Sequence, residues 1–264
     1  MFRKAIEAVQ SLLSSSSGPG ADVQYPLPGE WEHATPRQAA RSERILAKLR
    51  KRAVPVFPGP LFVDDDEKVQ VQSPAAVARR AMTLWGVNLR AEGFSQQQAL
   101  EVIEGLDLWE SLTAGEEAFL MATVVHPNEC RDRVWRLEAI WVLLWALGHV
   151  KKLDWPIGMC DVEHLVNSLI PRHGDSTFIT EATLRPVAEL LDMQELTFRI
   201  HWAIRDAYLN HGALVPEKLD WTKKKRVPLD TNVPSLVVEQ RHHAFNWLLN
   251  TFDPKDWDDV ETHT

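Results

Sequence analysis

Three well-separated stretches of this chain carry charged or hydrogen-bonding residues on helical patterns that otherwise read as buried: Arg133 to Val150, Arg185 to Gly212, and Pro234 to Phe252. The first holds the apolar run Ala139 to Leu147, directly after Arg136 and Glu138. The second sets His201, Arg205 and Asp206 among Leu, Ile, Trp and Ala, and the third sets Glu239, Arg241, His242 and Asn246 beside Phe245, Trp247 and Leu248. A charge buried without a partner is costly, so the polar groups of these helices are expected to meet one another. However far apart in sequence, the three segments must then pack together.

Helix punctuation repeats along the chain. Thr35-Pro36 is an N-cap followed by proline at the first helical position, and it opens a helix to about Arg52. Ser73-Pro74 repeats the signal and opens Ala75 to Ala91. Ser95 with Gln98, and Thr113 with Glu116, are capping-box spacings. Asp161 can cap Val162 to Ile170, closed by Pro171, while Gly212 and Pro216 end the long helix that starts near Pro186. Between these, Val54 to Val63 is a proline-rich connector. Period-2 alternation is confined to Val69-Gln-Val-Gln72, and no hairpin turn dipeptide occurs. The pattern predicts an all-α fold, a single compact multi-helix domain over residues 35–264. A flexible arm over residues 1–34 precedes it, with a short amphipathic helix at Met1 to Leu13 and a Ser/Gly/Pro-rich linker.

Eleven Trp residues against two Tyr give these helices large side chains to bury. The net charge of −8 argues against nucleic acid or an anionic membrane as the main partner. With only Cys130 and Cys160 there is no disulfide framework, and a reducing, cytoplasmic setting is expected. Glu7 and Gln10 interrupt the N-terminal apolar stretch, which does not read as a secretory signal, and Ala139 to Leu147 is about half a membrane span.

The blocks Arg41-Ser-Glu-Arg-Ile-Leu46, Ser73 to Arg80, Leu112 to Phe119 and Trp135 to Gly148 form an ordered series. Cys160-Asp-Val162, Leu184-Arg-Pro186, His201 to Asp206, Arg241-His242, Asn246-Trp247 and Asp256 to Val260 continue it. In this series, from Arg41 to Thr264, the chain resembles the bacterial family known as domain of unknown function 4272. The resemblance implies a helical domain and no established activity. At Gln240 the chain carries an amide where the resemblance implies an acidic residue before Arg241-His242.

Glu138 shares a helical stripe with Val134, Trp141, Val142 and Trp145 and should face the interior. Its expected partner is Arg205 or Arg241, either of which can grip a carboxylate bidentately. One reading makes these groups a structural network that fixes helix register. The other makes Glu138, His201, Arg205, Asp206, Glu239, Arg241 and His242 the catalytic candidates around one cleft. Glu239-x-x-His242 is one half of a di-iron spacing without its second half in a helix, and His126-x-x-x-Cys130 with Cys160-x-x-x-His164 is a loose zinc set. Neither amounts to a ligand set, so no metal or cofactor is expected. No phosphate-binding glycine loop or nucleophile elbow is present.

The basic run Lys223-Lys-Lys-Arg226 reads as a solvated loop, and the acidic end around Trp257 as a segment that docks back on the domain, its carboxylates meeting nearby Arg or Lys. Two functions follow. The favoured one is a non-catalytic module that binds another protein, for example an immunity-type inhibitor or regulatory partner. The alternative is an enzyme of unrecognised chemistry with a Glu/His/Arg cleft between the three helices.

Overall fold

In the computed structural model α6 (Leu137–Ala146) is buried along its whole length, and the other elements are arranged around it. A helix apolar on every side can only be a central one. The structure describes residues 34–52, 54–57, 63–156, 158–170, 175–211, 233–254 and 256–264. The helix and linker expected before residue 34, the stop at Gly212 and Pro216, and the basic run Lys223 to Arg226 lie outside the described residues. Among the described residues the fold is all-helical, with no strand.

The chain enters through α1 (Pro36–Lys51), α2 (Pro74–Ala91) and α3 (Gln96–Gly105), then a short 3-10 turn (Trp109–Ser111). α4 (Ala114–Met121) and α5 (Pro127–Val134) lead into α6. Next come α7 (Val162–His164), which runs on into a π turn at Leu165–Leu169, and the single turn α8 (Thr177–Thr180). The long helices α9 (Val187–His211) and α10 (Val233–Leu248) complete the set. The expected caps are in place: the Thr35, Ser73, Ser95 and Thr113 hydroxyls each accept from the backbone N–H three residues on, and the boxes at Ser95 and Thr113 are closed. Asp161 accepts from His164 N–H at 2.9 Å.

α6 packs against α2 and α10, α2 also packs on α3 and α5, and α10 packs on α9. The main core runs through α2, α3, α6 and the end of α10. A smaller one joins Ile45 and Leu49 of α1 to Leu196, Ile200 and Ile204 of α9 and Val238 of α10. At Gly86 a Cβ would fall 2.9 Å from Ile103 Cδ1, so glycine lets α2 and α3 approach closely.

The segment expected as one helix from Arg133 to Val150 is in fact two. α5 ends at Val134, and tight turns carry the chain over Trp135 and Arg136 into α6. The fully buried Asn88 of α2 supports the break: its amide donates to the carbonyl of Val134 at 3.2 Å and, beside the Arg136 N–H that already reaches it, to that of Arg133 at 3.3 Å. α6 then stops where Gly148 takes φ +84°, the left-handed conformation glycine adopts without penalty. The alternating Val69 to Gln72 stretch forms no strand. Val69 and Val71 pack on the core, and Gln72 N–H donates to Leu248 O at 2.9 Å.

Candidate functional site

Glu138, fully enclosed on α6, is gripped by Arg241 from α10, whose Nε donates to Glu138 Oε2 at 2.9 Å. Arg241 Nη1 donates to Asp154 O at 2.7 Å, and Cys160 N–H donates to Glu138 Oε1. Both carboxylate oxygens are therefore occupied. Of the two arginines that the sequence offers, Arg241 is the partner. Arg205, half-buried on α9, instead lies near enough to His201 and Glu239 to influence both. Burial, reinforced by the Glu138 carboxylate, pushes the Cys160 thiol well above its ordinary pKa. Beside Arg241, between Leu153, Thr197 and Ile200, a cavity of ≈ 30 Å³ remains, room for about one or two waters and no more.

One residue along α10, His242 meets His201 of α9, Nδ1 to Nδ1 at 3.0 Å. The other nitrogen of His242 lies 3.2 Å from Asn246 Nδ2. Asn246 is itself fixed, since its Oδ1 accepts from Gln194 at 3.2 Å and its Nδ2 donates to Glu261 O at 2.8 Å. Burial pushes His201 down to about 3, helped by Arg205, and holds His242 well below the usual histidine range, with His201 as the next contribution. Two facing imidazoles in a dry setting stay neutral.

The structure thus joins Glu138 to Arg241 and His201 to His242 in two enclosed nodes. Asp206 sits half-buried on α9, and Glu239 is exposed on α10. The seven candidates do not share one open cleft. Because His242 faces inward with both ring nitrogens engaged while Glu239 faces out, this pair cannot hold one ion together. No cluster of three or more His, Cys, Asp or Glu side chains among the described residues could hold a metal. Cys130 and Cys160 are both free thiols, His126 caps α5, and His164 packs edge-on against Trp141.

A third polar network was not expected from the sequence. Glu116, the capping-box residue of α4, is fully buried between Arg80 Nη1 at 2.8 Å and Arg136 Nη1 at 2.7 Å. Arg136 Nη2 continues to Asp258 Oδ1 at 3.3 Å, and Asp258 Oδ2 accepts from Thr113 Oγ1 at 2.5 Å. The acidic end is docked as expected. Trp257 is 1% exposed and packs against Trp247 and His243, with the Arg80 guanidinium 5.4 Å from its ring. The sequence signal for this hub was Arg80 itself, a cation within the apolar stripe Val77, Ala78, Ala81.

Against this network opens a polar cleft of ≈ 250 Å³ between α5 and α10, lined by Glu129, Asp132, Arg133, Arg136, Gln240, His243 and Trp257. His243 Nε2 lies 2.9 Å from Trp257 O, so that nitrogen carries the proton and donates. Burial, then the neighbouring Arg136, lowers His243 to about 4. The sequence pattern placed a helix start only at Arg133, so the wall that α5 forms from Pro127 onward was missed. The three- and four-residue steps among Glu129, Asp132, Arg133 and Arg136 were the available signal.

Residues 41–260 match the model of a family described as a domain of unknown function, DUF4272. The chain belongs to this family. The match runs from Arg41 on α1 to Val260 in the docked end, so all the side chains that form the polar networks above lie inside it; only the Glu261 carbonyl that Asn246 bonds falls just beyond. No curated protein and no solved structure matches the chain. Among the described residues no helix is long and apolar enough to cross a membrane.

Proposed function

We propose that the protein is a non-catalytic module that holds another protein, of the regulatory or immunity-inhibitor kind, and that it works in the cytoplasm. The observation that carries this reading is the closure of the Glu138 node. Its carboxylate has no free oxygen, Arg241 is held through Nε and Nη1, and the adjoining cavity takes about one or two waters. Acid–base chemistry needs a group that can reach substrate and exchange a proton. Glu138, His201 and His242 are sealed, which favours the network that fixes helix register over the enzyme reading. The net charge of −8 suits a basic protein partner, and the free thiols Cys130 and Cys160 suit a reducing compartment.

The test is capture with the tagged chain from its native host, quantified by mass spectrometry against an untagged control, followed by reconstitution with the purified candidate. A defined complex of fixed stoichiometry by light scattering is the expected result. Failure of every captured protein to form one would overturn the reading.

A further inference from the structure

We propose that the cleft between α5 and α10 is the docking point of that partner, and that it receives a basic side chain, the guanidinium or ammonium group of an arginine or lysine. This rests on the binding-module reading and names the chemistry of its surface.

Two arginines in the wall suggest an anion site at first sight. They are already committed. Arg136 divides its two terminal nitrogens between Glu116 at 2.7 Å and Asp258 at 3.3 Å. Arg133 donates to Gly115 O at 3.0 Å and lies over the Phe119 ring at 4.4 Å. Its remaining terminal nitrogen, Nη1, lacks a partner but is shut away from solvent, so no entering anion can reach it. Of their four terminal nitrogens three are engaged and the fourth is enclosed.

Accessible acceptors are what remain. Glu129 and Asp132 are both exposed, one helical step apart on the cleft side of α5. Glu129 has no ion pair among the described residues. Among the described residues Asp132 has only a long 3.7 Å ion contact, to its neighbour Arg131. His243 spends its N–H on Trp257 O, which leaves Nδ1 as a lone-pair acceptor, and Gln240 brings a neutral amide to the lining. Among the described residues of the cleft, a long cationic side chain would find two carboxylates and neutral acceptors, with the terminal nitrogens of both wall arginines engaged or enclosed. The ≈ 250 Å³ volume is on the scale of one such side chain. The net charge of −8 would draw a basic surface toward it.

The test is an NMR titration of the full chain with three probes: the blocked peptide acetyl-Gly-Arg-Gly-amide, its Glu counterpart, and inorganic phosphate. The arginine probe should give saturable shifts at the His243 ring and Gln240 amide, and the Glu129→Gln, Asp132→Asn double variant should weaken them about fivefold. Saturation by the Glu peptide or phosphate, no shift with any probe, or indifference to the double substitution would each overturn the assignment. No partner is needed for this experiment. A negative result would remove the cleft and leave the binding module to be decided by reconstitution. A reconstituted complex that forms equally well with Glu129→Lys, Asp132→Lys would do the same.

Discussion

Arg241 joins α10 to α6 through a 2.9 Å bond to Glu138 while its Nη1 holds the Asp154 carbonyl at 2.7 Å, so one guanidinium ties two helices and a loop. Removing one partner of such a pair strands the other. Arg241→Met should cost about 3–5 kcal/mol in urea unfolding. Adding Glu138→Leu should recover part of that loss, because an apolar pair replaces an orphaned charge. Recovery will be incomplete, since the buried Cys160 N–H loses its partner at about 1–3 kcal/mol, and the more exposed Asp154 carbonyl loses its own at a smaller cost. Losses that simply add in the double variant would show that the two residues are not coupled.

Trp257 is the anchor of the chain's end, and the hub of Arg80, Glu116, Arg136 and Asp258 lies beside it. Trp257→Ala removes a fully buried indole, which should cost about 3–5 kcal/mol and lower Tm by about 10 °C. Asp258→Asn keeps the shape and weakens one partly exposed pair, so its cost should be about 1 kcal/mol or less. Unchanged melting of Trp257→Ala would show that the end is not part of the folded unit.

What the sequence made legible was whatever is local. Thr35, Ser73, Ser95 and Thr113 announce their helices because a cap is read within four residues, and the burial of Glu138 follows from its stripe. The meeting of the three polar helices was legible too, as a need for partners, though not which arginine would answer. The break at Trp135 and Arg136 was hidden because the side chain that supports it, Asn88, lies more than forty residues away. Glu116 was hidden for a different reason: its capping-box role accounted for the residue fully, while its second oxygen serves Arg136. The pair of Ser42 with Glu195, at 2.6 Å and bridged by Arg199, likewise needed the fold.

The facing imidazoles can share only one proton between their Nδ1 atoms. Asn246 Nδ2 is a donor by its own contacts, so His242 Nε2 must accept from it. His242 is then the Nδ1–H tautomer and donates to His201 Nδ1, which leaves His201 protonated on Nε2. Nitrogen-15 shifts of the two rings at neutral pH should show these opposite tautomers. Matching tautomers, or a charged ring, would refute the chain of bonds. Asn246→Asp should disturb both rings together.

Acid should destabilise the fold through the same histidines. His201 at about 3, His243 at about 4, and His242 well below its usual value all lie under the unfolded value of about 6.5. The unfolded chain therefore binds more protons. The stabilisation is fully present above about pH 6.5 and is lost as pH falls through that value toward 4 and 3. Each such histidine adds about 1.4 kcal/mol of loss per pH unit within its window. Urea midpoints should drop steeply from neutral pH to pH 5, and His243→Gln should make the drop shallower by about one proton. A flat profile would contradict the buried neutral assignment.

The two thiols differ in access and in how far burial raises their pKa, which gives a direct reading of local opening around the Glu138 node. Cys130 is half-buried on α5, with its pKa raised by burial. Cys160 is buried, its backbone N–H is bound to Glu138, its Sγ lies 3.9 Å from Leu137 O, and its pKa is pushed higher still. Alkylation requires the thiolate and a path to it. Iodoacetamide should therefore modify Cys130 first under native conditions and reach Cys160 only as the fold opens. In Arg241→Met, where Glu138 loses its cation, Cys160 should become reactive in denaturant well below the wild-type midpoint. Peptide mapping by mass spectrometry reads both rates in one sample, and faster labelling of Cys160 than Cys130 in the native protein would place Cys160 outside the enclosed node.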